Sequence, residues 1–169
     1  MKKIYAGVGS RETPAADRLL MKRAAKHLAK KGWTLRSGGA RGADTAFAEG
    51  AKLGAGATEI YLTTSKGVDW DAAYALAADF HPNFKNLDPP VKRLIVRNGF
   101  QVLGPNLDDP VDFVLCWTPD GAESETTNRS GGTGQAIRIA NGYSIPVLNM
   151  KNGHERFIEE MKRLRRGHF

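Results

Sequence analysis

The chain has 169 residues, 41% of them hydrophobic and 25% charged, which fits one soluble globular domain with its own core. A single cysteine, Cys116, excludes an intrachain disulfide and suits a reducing cytoplasm; no run reaches the ~18 apolar residues of a membrane span, and Arg11 and Glu12 interrupt the apolar start that a signal peptide needs. The net charge of +7 gathers at Lys22, Arg23, Lys26, Lys30 and Lys31 and again at Lys162, Arg163, Arg165 and Arg166, without interleaved aromatics, so solvated helix faces account for it better than a single-strand platform does.

In chain order, "KIYAGVGS" predicts a short strand ending in a glycine turn. Pro14 then opens a helix over "AADRLLMKRAAKHLAKKG", with apolar positions at Leu20, Ala24 and Leu28 and a stop at Gly32. "WTLRSGG" is a second strand and turn, and "GADTAFAEGAKLG" a second helix that buries Ala46, Phe47, Gly50 and Ala51. "TEIYLTT" is a third strand. Two helical patterns follow, "DWDAAYALAADF" and a longer one from Pro89-Pro90 to about Leu103, with Asp88 placed as its N-cap.

"VDFVLCWTP" is a continuous apolar run, as expected of a strand buried on both faces, which makes Cys116 a core residue. Residues 118–132, "TPDGAESETTNRSGG", hold almost nothing apolar and read as a mobile loop, with Glu123 and Glu125 solvated. "GGTGQAIRIANGY" is a turn and helix, "IPVLNM" a last strand, and "HERFIEEMKRL" a last helix with Phe157, Ile158, Met161 and Leu164 on one side. Strands alternating with helices predict an α/β fold: a mainly parallel sheet of about five or more strands with helices on both faces.

Three glycine turns follow three of these strands: Gly7–Arg11, Ser37–Asp44 and Ser130–Gly134. In a parallel sheet they share the carboxyl edge, where such folds bind ligands, and each precedes a helix whose first N–H groups attract an anion. Glycine also serves plain tight corners, but three convergent turns favour a phosphate. None is a GxxxxGK[ST] loop or a strict GxGxxG, so Walker-type hydrolysis and ordinary dinucleotide binding are disfavoured. Arg11 and Arg41 lie inside turns, where a long cation has little to pack on. Asp44 can cap its helix or accept a ribose hydroxyl. Arg93 and Arg97 share a helix face, and Arg97-Asn98 interrupts an apolar pattern. His27, His81, His154 and His168 lack metal-ligand spacing, and no metal or cofactor is expected.

"VGSRETP" and "SGGARGAD" resemble the SLOG superfamily of Rossmann-like nucleotide binders, which includes the Lonely Guy phosphoribohydrolases, the DNA-processing protein A (DprA) family and small YspA-like proteins of bacteria and their phages. "GGTG" at Gly131–Gly134 is similar to the PGGxGT turn of the Lonely Guy branch, and "VRN" at Val96–Asn98 to the helix-borne arginine of both branches. The resemblance spans Gly7 to about Val147 and implies one SLOG-type domain over residues 1–169, with a homodimer that spare apolar faces on the two central helices would form. The pattern departs at one point. Lonely Guy enzymes carry PGGxGTxxE, whereas here Gln135 fills the threonine slot and Arg138 the glutamate slot.

The resulting expectation is a protein that binds or senses a nucleotide or nucleotide-derived ligand through Gly9, Ser10, Arg11, Ser37, Gly38, Gly39, Arg41, Gly42, Asp44, Arg97, Asn98, Gly131, Gly132, Thr133 and Gly134. The alternatives are an N-glycosidic hydrolase of nucleoside monophosphates and a single-stranded DNA binder of DprA type. The hydrolase would need Asp44, Glu123 or Glu125 in place of the missing glutamate, with Arg97 as a further catalytic candidate. DprA proteins carry further domains around this core, which the chain has no room for.

Overall fold

The computed structural model describes residues 2–166. His168 lies outside the described residues, as do the side chains of His154, Leu164 and Arg165.

The strands are β1 (Ile4–Gly9), β2 (Thr34–Ser37), β3 (Thr58–Ile60), β4 (Phe113–Trp117) and β5 (Val147–Asn149). The helices are α1 (Ala15–Lys30), α2 (Ala43–Leu53), α3 (Trp70–Phe80), α4 (Pro89–Leu103), α5 (Thr133–Gly142) and α6 (His154–Arg165). All five strands are parallel, in the order β3-β2-β1-β4-β5. The chain winds outward from β1 to β3 and then returns to the other side of β1. The carboxyl ends of β1 and β4 therefore diverge into helices on opposite faces, which opens a crevice between them.

The two faces follow the period of two along each strand. Tyr5, Leu35, Phe113, Leu115 and Trp117 point to the face covered by α1, α2 and α6. Ile4, Ala6, Val8, Val114 and Cys116 point to the face covered by α4 and α5. The apolar run in β4 is thus buried on both sides, and burial pushes the Cys116 thiol up, as a core residue requires. Ala46, Phe47, Gly50 and Ala51 of α2 are buried as their spacing predicts. On α6, Phe157 and Met161 join the core while Ile158 stays 48% exposed, so the predicted apolar face is narrower than expected.

Tyr61, Ala73, Ala77, Ile95, Val96 and Phe100 form a further cluster in which α3 and α4 bury their apolar sides against each other. Part of the apolar surface on which the expected homodimer would rest is used within the chain, while Val91 of α4 stays 42% exposed. Asp88 stands at the N-cap of α4 without a side-chain capping bond, and Pro89-Pro90 occupy the first turn, where their missing N–H groups are harmless. Arg36, 1% exposed, is a buried cation that periodicity did not mark: it donates to Glu59 at 2.6 Å and to both the backbone and the carboxylate of Asp109. It fastens β2 and β3 to the segment after α4. Among the described residues no helix is long and apolar enough to cross a membrane.

Candidate functional site

The crevice between the ends of β1 and β4 holds a cavity of about 460 Å³. The first turn supplies Gly9, Ser10, Arg11 and Glu12; α2 supplies Asp44; α4 supplies an aliphatic edge at Leu94 and Ile95 and the polar residues Arg97, Asn98 and Gln101. The third turn closes it with Arg129, Ser130, Gly131, Gly132 and Thr133. Nine of the residues expected to bind ligand meet here: Gly9, Ser10, Arg11, Asp44, Arg97, Asn98, Gly131, Gly132 and Thr133.

The second turn does something else. Ser37 is fully buried and donates to the Gly7 carbonyl at 2.6 Å, so it joins β2 to β1. A side chain on Gly38 would strike Gln101 and Arg97 at 2.4–2.7 Å, so glycine here lets α4 lie against the turn. Gly42 has φ +82°, and a Cβ there would meet the Ser10 and Arg11 carbonyls at 2.7 Å. Gly39 and Arg41 are exposed, and Arg41 lines a separate depression with Arg18 and Lys22. Gly134 lies inside α5, beneath Ser130 and Arg138. Most of these glycines allow turns and helices to pack, rather than baring backbone to a ligand.

The third turn is the open one. An added Cβ on Gly131 or Gly132 would meet nothing within 4 Å. At the start of α5 the Gly134 and Gln135 amides donate to the Gly131 and Gly132 carbonyls at 3.1 and 3.3 Å, and the positive dipole end of the helix faces the same opening. Asn98 donates to the Gly132 carbonyl at 2.8 Å, which fixes the turn relative to α4.

At the floor, Asp44 is 3% exposed and accepts the Ala40 amide at 3.1 Å. Burial pushes its carboxyl up to about 6, against the pull of the Arg97 charge and the Ala40 amide. Burial likewise lowers Arg97, while Asp44 supports its charge. Arg97 donates to the Gly38 carbonyl at 2.7 Å. Arg93, one turn earlier, is engaged elsewhere: it stacks 3.2 Å over Trp70 and donates to the Thr63 carbonyl.

The segment at 118–132 is tethered where a mobile loop was expected. Thr127 and Ser130 each donate to Asp120 at 2.6 Å. Partial burial pushes Asp120 up, but hydrogen bonds from Ser130, Thr127 and Thr118 outweigh it and hold the carboxyl well below the usual carboxylate range. Glu123 is not merely solvated: it accepts from the Asn149 amide at 2.9 Å and from Arg156 at 2.6 Å. Neither Glu123 nor the exposed Glu125 lines the cavity. Polar anchoring replaces the apolar burial that the composition lacks.

Arg138 donates to Gln135 Oε1 and Thr126 Oγ1, outside the cavity lining. The carboxylates that do line the cavity are Asp44 and Glu12. Sequence reasoning missed Glu12, Gln101, Arg129 and Ser130. Gln101 had a usable signal, since it stands four residues after Arg97 on one helix face.

Residues 1–69 match the family model described as DNA recombination-mediator protein A. No curated protein matches the chain. Among solved structures, the X-ray structure of DNA processing protein A (DprA) from Streptococcus pneumoniae superposes with a TM-score of 0.57 at 21% identity, over 88% of this chain and 50% of that one. The chain therefore spans about half the length of that protein. By sequence in its first 69 residues and by fold over most of its length, the chain is similar to DNA processing protein A, in agreement with the SLOG-type resemblance of its glycine turns.

Proposed function

We propose that the chain binds a nucleotide in the strand-end cavity, with the phosphate at the start of α5 and the sugar at the floor. The observation that carries this reading is the open face of Gly131 and Gly132, which lies on the same cavity as Arg97 and Asp44. Arg11 and Arg129 on its rim add positive charge where a phosphate would enter. A volume of about 460 Å³ is within the range of small-molecule sites.

Gly132→Ala is the sharpest test. Gly132 has φ −62° and ψ −30°, and its Cβ would meet no protein atom, so the variant folds normally. A phosphate lying against the backbone loses its close approach, and affinity for nucleoside monophosphates should fall about tenfold or more by calorimetry. Unchanged affinity with every nucleotide that wild type binds would remove the cradle.

A second reading is single-stranded DNA, supported by the match over residues 1–69 to a DNA recombination-mediator model and by the net charge of +7. One nucleotide of the strand would then occupy the cavity, with its neighbours near Arg11 and Arg129. Fluorescence anisotropy with a labelled oligonucleotide should show affinity falling steeply with salt, as released counterions require. Absence of binding at low salt would end this reading. The single buried cysteine supports a cytoplasmic setting for either.

A further inference from the structure

The cavity floor contains more polar capacity than the protein itself satisfies. Asp44, Gln101 and Asn98 are 3%, 1% and 6% exposed, and all three line the cavity with Arg97. Three of these side chains are aimed by the protein: Asp44 by the Ala40 amide with Ser37 and Gly38 beside it, Arg97 by the Gly38 carbonyl, Asn98 by the Gly132 carbonyl. Yet Arg97 Nε and Gln101 Oε1 are buried without a hydrogen-bond partner among the described residues. Asp44 accepts from Ala40 with the Ser37 hydroxyl and the Gly38 amide beside it, and an ionised carboxylate has room for one further donor. Buried polar groups left in this way are costly, and an occupant that completes them is correspondingly favoured.

The chemistry of that occupant follows from the groups. Two acceptors, Asp44 and Gln101, call for donors, and Arg97 Nε calls for an acceptor. A phosphate at neutral pH offers acceptors alone and sets its charge against Asp44, so it belongs at the mouth and not at the floor. A vicinal diol fits both demands, because each hydroxyl donates once and also accepts. One hydroxyl can donate to Asp44 while accepting from Arg97; the other can donate to Gln101. A sugar with one hydroxyl leaves one of these acceptors bare, in a place with little access for water. The neighbouring wall of Leu94 and Ile95 is aliphatic and offers a base no hydrogen bonds, so discrimination falls on the sugar.

Resting on the nucleotide reading above, we propose that this floor selects ribonucleotides over the matching deoxyribonucleotides, through Asp44 and Gln101 holding the 2′,3′-diol. The site would then favour a free ribonucleotide over a segment of DNA.

The test is calorimetry of the full chain with AMP and with 2′-deoxy-AMP, under one set of conditions. Wild type should prefer AMP by about tenfold or more, since a binding site with unpaired buried polar groups rejects the analogue that lacks the hydroxyl. Gln101→Met, which keeps the side-chain length, should bring the ratio of the two affinities toward one. Equal affinities in wild type, or a preference for the deoxynucleotide, would overturn the diol assignment and leave nucleotide binding standing. A preference for AMP that persists undiminished in both Gln101→Met and Asp44→Asn would overturn the roles of these residues. If neither nucleotide binds, the underlying reading fails as well.

Discussion

Replacing Asp44 by asparagine probes the balance at the cavity floor without changing its shape. The Asp44 carboxyl is raised from 3.8 to about 6, because burial outweighs the attraction of Arg97. The folded chain therefore binds this proton more tightly than the unfolded chain does. Stability from this group is complete below about pH 4, the unfolded value, and is lost as pH rises through the folded value of about 6. About two pKa units at ~1.4 kcal/mol each make the ionised Asp44 cost roughly 3 kcal/mol at pH 7.5. Asparagine stays neutral and can still accept the Ala40 amide, so Asp44→Asn should be more stable than wild type at pH 7.5 by up to roughly 3 kcal/mol. For a chain of this length that is about 5–10 °C in Tm. Urea denaturation followed by circular dichroism at pH 4.5 and pH 7.5 measures it directly. Wild type should lose stability relative to the variant between the two pH values. A variant that is less stable at pH 7.5, or parallel in its pH dependence, would refute the reasoning: pairing with Arg97 would then outweigh desolvation.

Asp120→Ala removes the acceptor shared by Thr127 and Ser130, and should expose Arg129 to trypsin far faster than in wild type, with the sheet intact; equal cleavage rates would show that other contacts hold the segment. Catalysis is expected to be absent or very slow. Arg138 cannot act as an acid or base, so incubation with AMP followed by chromatography should show no free adenine; rapid release would point to Asp44 or Glu12, which Asp44→Asn and Glu12→Gln would separate.

Much of the architecture was legible because its causes are local. Period-two apolar runs, period-3.6 helices, Pro89-Pro90 and the glycine stops marked each strand and helix to within a few residues. Alternation of the two then implied the parallel sheet and put three turns on one edge. The failures share a physical reason. The segment at 118–132 looked mobile because composition reveals apolar burial but not a polar network whose acceptor, Asp120, lies ten residues before Ser130. Arg36 seemed unremarkable because its partner Asp109 is 73 residues away.

For the site, the sequence alone identified the turns but not which of them faces a ligand. Arg97 meets the Gly38 carbonyl across 59 residues, and Asn98 meets Gly132 across 34. Those meetings depend on where α4 crosses the sheet edge. That crossing is set by packing against α3, α5 and the strand ends, and it turns Gly38 into a packing position while leaving Gly131 and Gly132 open. A glycine reads the same in a sequence whether a helix or open space stands above it; only the arrangement of the surrounding elements decides between them.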